Sequence, residues 1–218
     1  MGLSNISILT VTYGDYWSRY GESWLETVAE ADPQPAKVVL VSDVPVDVPQ
    51  WVTLIVAGEG LYVSDYVNIG VGEIDSEWLF SFGVDDLLLP GALESLTVDT
   101  DAYVWPLFYG GNMKGQIDYL GGYDECYLLR YNTMRVYAMH RTSLMREIPY
   151  RRIHYHDDAH WAEMAYFGKT VTFSDTPRAV WVRHDDALSF TNNPDWQREV
   201  NDFKDRLAAG LVIAGLPE

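Results

Sequence analysis

The stretch Lys37-Val38-Val39-Leu40-Val41-Ser42 holds four consecutive aliphatic residues with no polar interruption. A strand with one wet face alternates apolar and polar residues. This one is therefore expected to be covered on both faces, as in a parallel sheet wrapped by helices. An earlier β-branched and apolar run, Ile6-Ser7-Ile8-Leu9-Thr10-Val11-Thr12, reads as the first strand. Between the two, Tyr16, Tyr20, Trp24 and Val28 recur every four residues. That spacing predicts an amphipathic helix to about Ala31, ended by Pro33 and Pro35. Gly14 permits the sharp turn before it, and Asp15 is placed to cap it.

Residues 51–56 read as a third strand, 61–74 as a helix and 77–82 as a fourth strand. Strands alternating with helices imply an α/β fold with right-handed crossovers. Ligands in such sheets sit beyond the carboxyl ends of the strands. Tyr13, Asp43 and the pair Asp85-Asp86 all fall at those ends. Two adjacent carboxylates after a buried strand are costly without cationic compensation, for which a divalent cation carrying a diphosphate is the natural candidate. The plainer reading is a turn in which Asp caps a helix opened by Pro90.

The second half changes character. Residues 102–109 and 134–139 read as strands, separated by a stretch over 110–131 with five glycines and four tyrosines. Its aromatic faces suit sugar packing or a core equally well. His156-Asp157-Asp158 opens a helix that Gly168 stops, with Asp favourable at a helix start. Residues 169–173 and 179–182 read as late strands, and 193–209 as a polar helix on the outside.

The chain has 218 residues, 48% of them hydrophobic, enough for one sizeable core, and no repeat or linker divides it. One domain is expected: a nucleotide-binding half over about 5–100, an acceptor and catalytic half over about 101–190, and a C-terminal helix over about 193–210. Fifteen basic against 32 acidic residues give a net charge of −17, which repels nucleic-acid backbones. An anionic small substrate then needs local neutralisation, which again points to a bound cation. The lone Cys126 excludes an internal disulfide, fits a reducing compartment and reads most simply as a small buried hydrophobe. The N-terminus lacks the basic and apolar regions of a signal peptide, and no apolar run approaches the ~18 residues of a membrane span. A soluble, cytoplasmic protein is expected.

Taken in order, Val11-Thr12-Tyr13-Gly14-Asp15, Val39-Leu40-Val41-Ser42-Asp43, Asn68-Ile69-Gly70-Val71, Trp78-Leu79-Phe80-Ser81-Phe82-Gly83-Val84-Asp85-Asp86 with Pro90, His156-Asp157-Asp158-Ala159-His160-Trp161 with Gly168, and Arg183-His184 with Ser189 resemble the family 2 glycosyltransferases. These are inverting nucleotide-sugar enzymes of the GT-A fold, with a mixed, mainly parallel sheet flanked by helices. The resemblance covers about residues 5–190. It implies that Val11 and Tyr13 hold the nucleobase and ribose, that Asp43 bonds the base, and that Asn68 and Asp85 belong to the nucleotide site. It further implies that Asp86 is the better candidate for direct contact with Mn²⁺ or Mg²⁺, with His184 completing the metal shell, and that Arg183 meets phosphate. Asp157 stands where the family has its catalytic base, with Asp158 the neighbouring alternative. Three positions depart from the family pattern. Gly83 replaces the first acidic residue, Val67 replaces an Arg, and His156-Asp157 replaces Glu-Asp.

The expected activity is metal-dependent, inverting transfer of a sugar, UDP-linked in the leading reading, from a nucleotide diphosphate to an acceptor hydroxyl. An ordinary aspartate, with pKa about 3.9, is ionised at pH 7 and can accept the hydroxyl proton. An inactive nucleotide- or carbohydrate-binding module is the alternative. A nucleotidyltransferase is disfavoured because the loop after the first strand carries no basic residue before Arg19. His156 and His160, at i and i+4, have the spacing of zinc ligands, without the glutamate of the zinc-protease motif or an evident third ligand. For His184 a structural bond to Asp185 or Asp186 is the competing reading, and for Arg183 a surface ion pair. The acceptor is expected to meet the 110–131 stretch and the segment before Asp157.

Overall fold

The computed structural model describes residues 4–111, 117–118, 136–184 and 193–212. Its elements are β1 (Ile6–Thr12), α1 (Tyr16–Ala29), β2 (Val38–Ser42), β3 (Val52–Val56), α2 (Val63–Val71), β4 (Trp78–Ser81), β5 (Leu87–Leu88), β6 (Ala102–Gly111), β7 (Ile117–Asp118), β8 (Val136–Arg141), α3 (Thr142–Glu147), α4 (His156–Tyr166), β9 (Val171–Phe173), β10 (Ala179–Arg183) and α5 (Pro194–Ala208). Ten strands form one sheet in the order β3-β2-β1-β4-β8-β6-β10-β5, with β7 and β9 also paired to β6.

The first four strands run parallel, and β8 enters antiparallel between β4 and β6. The unbroken apolar run of β2 is explained by its two faces. Val38 and Leu40 pack with Ile6, Ile8, Trp24 and Val28 on the α1 side. Val39 and Val41 pack with Leu9, Tyr66, Val67 and Val71 on the α2 side. Gly70 lets α2 lie directly on the sheet, since a Cβ there would come within 2.2 Å of Leu9 Cδ1 and 3.0 Å of Val41 Cγ2. A helical glycine costs about 1 kcal/mol relative to alanine, here offset by that close approach.

Strand β6 serves two neighbourhoods. Its first half, to Pro106, pairs with β8 and β9, and its second half pairs with β7 and β10. The changeover falls at Pro106, which brings no N–H to a ladder. Helix α5 packs on α4 through Val200, Phe203 and Leu207 against Ala159 and Ala162. Asn193 caps it, its Oδ1 accepting from Asp195 N at 3.0 Å.

Two local expectations differ from the structure. Asp15 stands at the N-cap of α1 but makes no side-chain cap bond; its carboxylate lies 3.7 Å from Arg19 instead. Pro90 opens no helix: Leu87–Leu88 pairs antiparallel with the start of β10, because two consecutive leucines find a strand edge there. Helix α3 was not anticipated from the sequence. Most of the 110–131 stretch, Cys126, Asp185, Asp186 and Ser189 lie outside the described residues. Among the described residues no helix is long and apolar enough to cross a membrane.

Candidate functional site

A cavity of about 310 Å³ opens at the carboxyl edge of β1 and β4. Val11, Tyr13, Asp85 and Asp157, four of the residues singled out in the sequence, share its wall. Val11 lies in β1 and Tyr13 immediately follows its end, and both line the cavity. Val63 and Val67 of α2 line it too, so the lining includes apolar and aromatic groups. Burial raises the Tyr13 phenol above its usual range, helped by Tyr16 and Asp85, and keeps it neutral.

Asp43 follows β2. Its Oδ2 accepts the Gly14 N–H at 2.8 Å, and Gly14 has φ +59°, a turn that suits glycine. Asp43 Oδ1 is buried with no hydrogen-bond partner among the described residues. Asn68 has a different setting. Its Nδ2 donates to Tyr150 O at 2.8 Å and its Oδ1 accepts from Tyr150 N at 2.9 Å, so both amide atoms clasp the backbone of a residue that lines the cavity.

The two adjacent aspartates diverge. Asp86 is buried, 5% exposed, and turns into the protein, where Oδ1 accepts from Val182 N at 3.0 Å and Oδ2 from Gly83 N at 3.2 Å. Burial, then the neighbouring Asp85, pushes its carboxyl well above the usual range, against the pull of those hydrogen bonds. Asp86 therefore ties the Gly83 turn to β10, and Asp85 is the carboxylate that meets the cavity. Gly83, where the family pattern has an acid, lies directly beneath both: a Cβ there would fall 2.3 Å from Asp85 Oδ1 and 2.9 Å from Asp86 Oδ2.

His184, just beyond β10, completes this end. Its Nε2 lies 2.8 Å from Asp85 Oδ2, and its ring packs on Tyr20 (5.0 Å) and Tyr16 (6.0 Å) of α1. His184 Nδ1 is buried without a hydrogen-bond partner among the described residues. The backbone of Arg183 ends β10, while its side chain lies outside the described residues. Among the described residues no three His, Cys, Asp or Glu side chains converge to hold a metal. One carboxylate and one imidazole are donors that a divalent ion accepts when phosphate oxygens supply the other ligands, so the pair fits such an ion.

At the opposite end, α4 presents Asp157 and, one turn on, Trp161 to the cavity. Asp158 is buried and turned towards Lys204 of α5. Burial lowers the Lys204 ammonium, opposed first by Asp158 and then by Asp157. Arg151 anchors the segment leading into α4: its Nε lies 3.1 Å from both Glu163 carboxylate oxygens and its Nη2 lies 2.5 Å from Oε1, all buried. His156 lines the cavity, while His160 is buried beside His140 and Tyr150. Tyr137, His140, Tyr150 and Trp181 also line it without having been singled out. None of the four stands in a motif quoted from the sequence, whereas Trp161, which does, lines it as well.

No family model and no curated protein sequence matches the chain. Solved structures do. The 1–349 fragment of S. aureus TarS in complex with UDP-GlcNAc superposes with a TM-score of 0.66 at 14% identity, over 94% of this chain and 71% of that one. The chain has a GT-A-like fold. The same TarS fragment with UDP gives a TM-score of 0.62 at 15% identity, over 94% and 70% of the two chains. Mannosyltransferase PcManGT from Pyrobaculum calidifontis, in complex with GDP-Man and Mn²⁺, gives 0.61 at 13%, over 94% and 70%. In this GT-A-like fold the cavity lies where strand ends of an α/β sheet ordinarily receive a ligand.

Proposed function

We propose that the protein is a metal-dependent, inverting glycosyltransferase that moves a sugar from a nucleotide diphosphate, UDP-linked in the first instance, to an acceptor hydroxyl. One observation carries this reading: Tyr13, Asp85 and Asp157 line a single cavity. The mixture of apolar wall, acidic turn and separate acidic helix start matches the three parts of a sugar nucleotide reaction.

Val11 and Tyr13 pack the base and ribose, with Val63 and Val67 in the same lining, and the open Oδ1 of Asp43 accepts from the base edge. Asp85 and His184 hold the divalent ion, which when bound neutralises charge on the departing diphosphate. Arg183, the residue before His184, is assigned to the phosphate. Asp157 accepts the proton of the acceptor hydroxyl as its oxygen attacks the anomeric carbon and the bond to the diphosphate oxygen breaks, so configuration inverts. Asp157 is favoured over Asp158 as base because Asp158 is buried towards Lys204. Holding both substrates in line supplies much of the rate gain.

Thermal shift of the purified chain with UDP, GDP, CMP and their sugars, each with Mn²⁺ or EDTA, tests the reading. A ligand that binds only the native state stabilises it by roughly 2.7 kcal/mol at a hundred times Kd. A Mn²⁺-dependent rise for one diphosphate nucleotide, lost in Asp85→Asn, supports the donor site; no rise with any nucleotide refutes it. Gly83, in place of an acid, favours a second reading: a binding module without transfer. Sugar transfer to a panel of acceptors, abolished by Asp157→Asn while nucleotide binding persists, rules that module out.

A further inference from the structure

The cavity lining also holds a group of aromatic rings: the Tyr150 phenol, the His140 and His156 imidazoles and the Trp161 indole. These rings brace one another: His140 lies 5.3 Å from Trp161 and 5.1 Å from His160, and Tyr150 lies 4.8 Å from both His156 and His160. Burial lowers His140 to about 4, so it is neutral at pH 7, and it holds His160 well below its ordinary value too. A neutral imidazole offers one donor and one acceptor, and aromatic faces pack against the C–H faces of a ring.

The charged groups in this wall are of one sign. Asp85 and Asp157 line the cavity, and no lysine or arginine does so among the described residues. With Asp85 engaged by the divalent ion, a carboxylate entering here would meet the Asp157 carboxylate, a like charge that disfavours its ionised form and its binding. The net charge of −17 adds repulsion of the same sign.

The geometry points to a sugar subsite at this aromatic group that takes an uncharged, hydroxyl-bearing ring and discriminates against a sugar carrying a carboxylate. This inference rests on the nucleotide-sugar reading above and names the class of sugar.

Calorimetric titration of the whole chain in Mn²⁺ with UDP, UDP-glucose, UDP-N-acetylglucosamine and UDP-glucuronate tests it. Both neutral sugar nucleotides should bind at least as tightly as UDP, and UDP-glucuronate roughly tenfold or more weaker than UDP-glucose, a gap of about 1.4 kcal/mol. Asp157 is exposed at the start of its helix, so Asp157→Asn leaves the fold intact and should narrow the gap by removing that repelling charge. UDP-glucuronate binding as tightly as UDP-glucose, or a gap that Asp157→Asn leaves unchanged, overturns the subsite while UDP binding still supports the donor reading. Failure of UDP and of all three sugar nucleotides to bind overturns both.

Discussion

Replacing Arg151 by Met should cost this protein about 3–5 kcal/mol of stability, the range for breaking a buried ion pair from one side. The structure places the pair at that end of the scale. Arg151 is 3% exposed and Glu163 fully buried, and three N–O approaches of 2.5–3.1 Å join them. Without the guanidinium, the Glu163 carboxylate remains in a region that cannot solvate it. A domain of ordinary stability, about 5–15 kcal/mol, would lose from about a fifth of it to all of it. The double variant Arg151→Met/Glu163→Leu removes both charges and should recover at least about 3 kcal/mol of that loss, since apolar replacement of a buried pair is commonly neutral or stabilising. Urea unfolding followed by tryptophan fluorescence measures all three proteins, with an unchanged m-value as the sign that only stability moved. The segment between Arg151 and α4 leads directly to Asp157, so transfer should fall in the single variant more than nucleotide affinity does. A single variant within about 1 kcal/mol of the parent, or a double variant no more stable than the single, refutes the reasoning.

His140 should make the protein acid-sensitive. Its folded-state value is depressed from 6.5 to about 4, so the stability it contributes is present above about pH 6.5 and lost as pH falls towards 4. The loss is about 3 kcal/mol at 1.36 kcal/mol per pH unit, and His140→Phe should flatten that slope in denaturation curves taken across pH 4–7. Asp157→Asn should lower transfer by roughly 10²–10⁴ with donor affinity kept, whereas Asp158→Asn should show mainly as lost stability, because Lys204 loses its buried counter-charge. Asp158→Asn abolishing transfer in a protein as stable as the parent would reverse the two assignments. Gly83→Ala sets a methyl 2.3 Å from the present position of Asp85 Oδ1, and should weaken the Mn²⁺-dependent thermal shift with UDP while leaving the metal-free shift unchanged.

The parallel half of the sheet was legible because each strand repeats a local rule. The β2 run could satisfy no one-sided sheet, and the four-residue spacing of α1 admitted only a helix. Ends of strands then located Tyr13, Asp43 and Asp85 without knowledge of the fold. What could not be read was orientation after a turn. Asp85 and Asp86 are chemically identical neighbours, and the Tyr137 hydroxyl with the backbone N–H groups of Gly83 and Val182, the latter almost a hundred residues on, decide which one faces inward. Asn68 looked like a ligand residue and is occupied by Tyr150, a partner 82 positions away. Tyr137 and His140 reach the cavity from an antiparallel strand inserted mid-sheet, a placement that no local pattern announces.

The double clasp between Asn68 and the Tyr150 backbone joins two parts of the chain that the sequence keeps far apart. Val63 and Val67 sit on the same short helix as Asn68, and Tyr150 sits six residues before His156 and the start of α4. Two hydrogen bonds from one side chain thus tie the helix that carries Val63 and Val67 to the wall that leads to Asp157. The two parts of the cavity lining do not merely rest side by side: the separation between them is set by the length of a single asparagine amide.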